Sequence, residues 1–141
     1  MLDLAARAAA TEKVVERFRH RPFSWRDRTT CIHLARAQMR ALGHRPPSIP
    51  DFRSPVGART AMRKAGVTSL MALLDTLAPR IAPLAMLPGD LGVLPGEPPF
   101  EAIVIAAGGD KVFGWHGSDL SRLYPIAVGR LDFLACYGLG R

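Results

Sequence analysis

Cysteine is scarce in this chain: Cys31 and Cys136 are the two thiols in 141 residues, and they lie in dissimilar surroundings. No secretion signal accompanies them, so a structural disulfide is not expected and both read as free thiols. Aromatic residues make up 7% of the sequence, which leaves few stacking platforms of the kind single-strand binders use. No apolar run approaches the roughly 18 residues a membrane span needs. Gly108-Gly109 has neither the Gly-Lys-Ser/Thr pattern nor the following helix of a phosphate loop. No His/Cys pair has zinc spacing, so neither a metal nor a cofactor is expected. Residues 1–10 are apolar but carry Asp3 and Arg7 and lack a basic start. They do not read as a signal peptide, and synthesis and retention in the cytoplasm are the expectation.

What is present suffices for a core. The 15.3 kDa chain is 48% hydrophobic with mean hydropathy +0.09, a size that buries about two thirds of the unfolded surface in one domain. The net charge of +7 is unevenly placed. Residues 1–64 hold 14 Lys/Arg against 5 Asp/Glu, and residues 65–141 hold 5 against 7. Such a split marks contact with nucleic acid or with an acidic partner. Because 16 of the 19 basic residues are arginines spread along helical faces, an acidic protein surface or plain solubility fits better than nucleic acid.

Helical periodicity and caps fill the first half. Residues 4–19 form one pattern, with Val14, Val15 and Phe18 sharing a face with Leu4 and ending before Arg21-Pro22. Thr29 or Thr30 caps a helix over residues 31–42, closed by Gly43, whose apolar face is Cys31, Leu34, Ala35, Gln38/Met39 and Leu42. Prolines 46, 47, 50 and 55 make the next segment an extended surface connection. Residues 57–65 and 69–77 give two further short helices. From residue 88 the apolar runs are strand length and separated by turn signals: 91–94, 102–106, 111–115 and 130–137. The plan is a single α+β domain over residues 1–141, with 1–80 mainly helical and 88–141 an antiparallel meander.

One stretch carries a chemical signature. Phe23-Ser24-Trp25-Arg26-Asp27-Arg28-Thr29-Thr30-Cys31-Ile32-His33-Leu34 opens a helix on a cysteine, and Leu87-Pro88-Gly89-Asp90-Leu91 later enters a strand through a turn. This order resembles the NlpC-type cell-wall peptidases, a papain-like group whose nucleophile is that cysteine. Over nearly the whole length the chain is similar to a phage and prophage tail-cluster family related to them. The resemblance implies an NlpC-like fold with helices packed on a C-terminal antiparallel sheet, Cys31 as the nucleophile position, and Trp25 and Asp90 near the cleft. Where that family places its histidine, at the start of the next strand, this chain has Glu101, and Thr30 stands where the family has an aspartate.

A thiol nucleophile needs an imidazole within hydrogen-bond reach. His33 is two residues along the same helix and rotated about 200° away, and His44 lies about 18 Å distant at the helix's far end. His20 is in the preceding loop. His116, in Gly114-Trp115-His116-Gly117, is left as either a substitute base or an ordinary turn histidine. A carboxylate at Glu101 is a weak base toward a thiol and its charge raises the thiol pKa. Two functions follow as expectations. One is a structural component of a phage tail tip or baseplate, a pseudoenzyme docked among other tail proteins in a symmetric virion assembly. The other is an active peptidoglycan peptidase or amidase using Cys31 and His116.

Overall fold

A side-chain oxygen starts each α-helix found among the residues described by the computed structural model, which are 2–97, 99–116, 119–129 and 132–141. Asp3 accepts from the Ala6 amide at 2.8 Å at the head of α1 (Leu4–Phe18), and Thr30 from Ile32 at 3.2 Å at the head of α2 (Cys31–Ala41). Ser54 accepts from Gly57 at 3.0 Å before α3 (Pro55–Lys64), and Ser69 from Ala72 at 3.0 Å before α4 (Leu70–Asp75). Such caps satisfy amides that have no partner within the helix. The third helix starts two residues before its expected start because Pro55 suits the first helical position after the Ser54 cap. None of these helices is long and apolar enough to cross a membrane.

Six antiparallel strands form one sheet: β1 (Arg80–Ile81), β2 (Leu91–Leu94), β3 (Ala102–Gly108), β4 (Lys111–Gly114), β5 (Tyr124–Ala127) and β6 (Ala135–Tyr137), ordered β1-β6-β2-β3-β4-β5. The fold class is therefore α+β. The meander expectation holds for β2 through β4; β5 continues it at residues 124–127, where no strand was expected, and the plan fails at the other edge. β6 returns to the free edge of β2, pairing Gly92 with Cys136, and β1 adds outside it. Of the expected strand at 130–137, Arg130 and Leu131 lie outside the described residues. Gly92 is required at this seam, since a Cβ there would come within 2.5 Å of the Phe133 ring.

Strand alternation sorts the sheet into two faces. Ile103 and Ile105 join the main core with Val15, Leu34, Met39, Leu70 and Leu74, while Val104 packs with Leu94 and Val112 on the other side. On α1 the buried stripe is Arg7, Thr11, Val14, Val15 and Phe18, whereas Leu4, expected on that face, is 60% exposed. The extended segment 44–53 also departs from expectation. Phe52 enters the core and Ile49 packs against it, so this connection covers α2 instead of lying free along the surface.

Candidate functional site: a buried thiol and a buried carboxylate

α2 runs alongside β3 from the strand's start toward its end. Its first residue, Cys31, places Sγ 3.8 Å from the Glu101 carbonyl oxygen just before β3. Farther along α2, Gln38 donates to Gly89 O at 2.9 Å, and the Gly89 amide bonds Ala106 O at 2.8 Å. The helix start and the Pro88-Gly89-Asp90 turn thus sit at opposite ends of β3, about 16 Å apart by strand rise.

Cys31 is buried at 7% exposure, in the same core as Phe52, against which Trp25 and Phe100 pack. Trp25 is half-buried, its ring 4.9 Å from Phe100 and 5.6 Å from Phe23. Loss of water pushes the thiol up to about 11, with the nearby Glu101 charge acting in the same sense. The backbone N–H groups of Ile103, Cys31 and Ile32 oppose this without prevailing. The dipole of α2 therefore fails to produce a thiolate, because burial outweighs it. At neutral pH about one thiol in ten thousand would be ionised.

No histidine is among the groups acting on Cys31. His33 points elsewhere: its Nδ1 meets Thr30 Oγ1 at 2.8 Å and its ring lies 5.8 Å from Phe52. Partial burial, then the charges of Arg28 and Arg36, lower its pKa to about 4, so it is neutral at physiological pH. His116 follows Trp115, whose ring packs on Phe18 and Phe23 and whose Nε1 donates to Arg21 O at 2.9 Å. His116 itself is half-buried and shares no hydrogen bond with Cys31. Its neighbours Gly117 and Ser118 lie outside the described residues.

Glu101 has a different occupation from that of a base. Its buried carboxylate accepts the Leu70 amide at 3.0 Å through Oε1, joining Ser69 as a second cap on α4. The charge beside Cys31 is thus held by the helix start it serves.

Asp90, expected near a cleft with Trp25, is fully buried at the far end of β3. Its Oδ1 takes Arg7 Nη2 at 2.7 Å and the Leu139 amide at 3.0 Å, and its Oδ2 takes the Leu87 amide at 2.8 Å and the Arg141 guanidinium. Arg7, 1% exposed, also donates to Pro88 O at 3.1 Å and to Leu139 O. Gln38 Nε2 bonds Thr11 Oγ1 at 2.9 Å in the same layer. Gly89 turns there with φ +94, and a Cβ on it would come within 2.7 Å of Thr11 Oγ1. Asp90 was placed by resemblance alone, and Arg7 was missed. The signal was available, because Arg7 stands on the stripe of Thr11, Val14 and Phe18.

Among the described residues no three His, Cys, Asp or Glu side chains cluster in a way that could hold a metal. The arrangement at Cys31 can pack and can donate a weak S–H; the one at Asp90 ties α1, the turn and the C-terminal residues together. No curated protein and no solved structure matches the chain. A family profile described as a domain of unknown function, DUF6950, matches residues 4–130, and the chain belongs to that family.

Proposed function

We propose that this protein is a structural component of a phage tail, at the tip or baseplate, built on a degenerate NlpC-like fold that no longer performs peptidase chemistry. The observation that carries the reading is the state of Cys31. The residue in the nucleophile's sequence position heads a helix lying on a strand, yet its thiol is buried, raised to about 11 and attended by no imidazole. Glu101, in the position of the family's histidine, is engaged with the Leu70 amide. Both changes remove what a papain-like attack needs, a thiolate and an oriented base.

The role left to such a fold is architectural, and the concentration of positive charge in residues 1–64 supports docking against acidic neighbours in a symmetric assembly. The competing reading, peptidoglycan cleavage by Cys31 with His116, requires the thiol to emerge and the histidine to reach it. Two assays separate them. Purified protein and its Cys31→Ala variant are incubated with peptidoglycan fragments, and purified tails are searched for the protein by mass spectrometry. The proposal expects no Cys31-dependent product and finds the protein in tails. Cleavage that vanishes with Cys31→Ala, or absence from assembled tails, overturns it.

A further inference from the structure

Between α1 and α2 runs an open groove of about 1240 Å³ whose lining is strongly one-sided in charge. Lys13, Arg17 and Arg21 come from α1 and the turn after it, and Arg36 and Arg40 come from α2, with Arg28 beside them. Asp27 is the one acidic side chain in the lining. Arg28 is already engaged by Asp51 at 2.9 Å, but among the described residues Lys13, Arg17, Arg21, Arg36 and Arg40 form no ion pair. Five cations gathered around one concavity repel one another and lower stability. That arrangement is relieved when carboxylates enter.

The floor is as distinctive as the rims. Ala6 and Ala10 on α1, and Ala37 and Ala41 on α2, are spaced four apart on facing helices and line the groove. Short side chains in i, i+4 rows let a third helix approach closely and seat its own ridge. From Ala6 to Phe18 the α1 wall is about 18 Å long, the length of a helix of about 12 residues.

We infer that this groove seats an acidic amphipathic helix contributed by a neighbouring protein, its small or apolar ridge on the alanine floor and its carboxylates against the two cationic rims. The inference rests on the docking part of the proposed function and gives it a place and a partner chemistry. A nucleic acid fits less well. Of the two rings in the lining, Phe18 is 3% exposed under Arg17 and Arg21, and the half-buried His33 ring is packed against Phe52, so bases find little to stack on. A duplex would touch the rims and leave the floor empty.

The test uses the full chain and a fluorescein-labelled helical peptide of about 14 residues, made of Glu, Ala and Leu with the glutamates flanking an Ala/Leu stripe. A scrambled peptide of equal charge and a labelled DNA duplex are the comparators, and anisotropy at physiological salt is the readout. The patterned peptide should bind at least tenfold more tightly than the scrambled one. The pair Arg17→Glu/Arg40→Glu should weaken it at least tenfold, while Arg63→Glu/Lys64→Glu on α3, with the same charge change, should leave it within about twofold. All four side chains are exposed, and circular dichroism checks that both variants keep the wild-type fold. Equal binding of patterned and scrambled peptides, equal loss in both variants, or tighter binding of duplex with a steep salt dependence would overturn the assignment. Tail incorporation is scored separately with the same variants. Patterned binding by a protein that is absent from tails removes the tail reading and keeps the groove. Undiminished incorporation of the Arg17→Glu/Arg40→Glu variant removes the groove and keeps the tail reading.

Discussion

Cys31 and Asp90 stand at opposite ends of β3, both buried, and the surroundings treat them in opposite ways. Around Asp90 every lone-pair direction is used: two guanidiniums and two backbone amides converge on one carboxylate. Around Cys31 there is apolar packing, a long contact to a carbonyl oxygen and three backbone N–H groups too weak to offset the loss of water. A charge can be retained inside a protein when partners replace its water, and the Asp90 carboxylate is given four of them. The thiol has too little such compensation and holds its proton. The same burial therefore keeps a thiol protonated at one end and organises three chain segments at the other.

Removing the carboxylate should break this contrast most severely. Asp90→Ala leaves Arg7 buried with a charge facing no counter-ion, and we expect a loss of about 3–5 kcal/mol in urea unfolding. A loss under 1 kcal/mol would mean that the cluster is ornamental. At the other end the effect is conditional on pH. The Cys31 pKa of about 11 lies above its ordinary value near 9, so its stabilising contribution is full below pH 9 and disappears as pH rises toward 11. About 2–3 kcal/mol should be lost over that interval. Cys136 is also raised to about 11 by burial and by Asp90, and burial with Asp75 raises Tyr137. Cys31→Ala should thus flatten part of the alkaline decline, and an unchanged slope would show that the thiol is not where we place its proton.

Glu101→Ala withdraws a cap from α4, though the Pro99 carbonyl still accepts the Leu70 amide at 3.1 Å. About 1 kcal/mol is expected. Glu101→Gln, which keeps an acceptor and removes the charge, should cost less than half as much and slightly increase thiol reactivity.

An effect no larger than that of Glu101→Ala belongs to His33. Its pKa, depressed to about 4 by partial burial and then by Arg28 and Arg36, favours the neutral ring in the folded protein. Stability is therefore complete above the unfolded value near 6.5 and falls as pH drops toward 4. The half-exposed ring limits this to about 1 kcal/mol after screening. His33→Gln should remove that slope between pH 7 and 4.5, and persistence of the slope would place its origin elsewhere.

Helices were legible where apolar spacing and a capping hydroxyl coincided, as on α2, where the expected face of Cys31, Leu34, Ala35, Gln38, Met39 and Leu42 is the buried one. The strands at 91–94 and 102–108 announced themselves through short apolar runs between turns. β5 did not, because Tyr124-Pro125-Ile126-Ala127 is an edge strand with alternating exposure and a proline. β1 has two residues and no pattern of its own, and exists because β6 offers it an edge. Position 101 was read for the base it lacks, while its service to the Leu70 amide depends on a contact 31 residues away that no local pattern encodes. Arg7 was overlooked for a related reason: an arginine in an alanine-rich helix reads as solvated, and its partner lies 83 residues on.

The most direct measurement is the ionisation of Cys31 in the native protein, followed as thiolate absorbance or as alkylation rate against pH, with Cys136 replaced by alanine so that one thiol reports. We predict negligible labelling at neutral pH and a midpoint near 11, merging with the alkaline loss of structure. A midpoint well below 8.5 in folded protein, with modification that tracks peptidoglycan cleavage, would contradict the account.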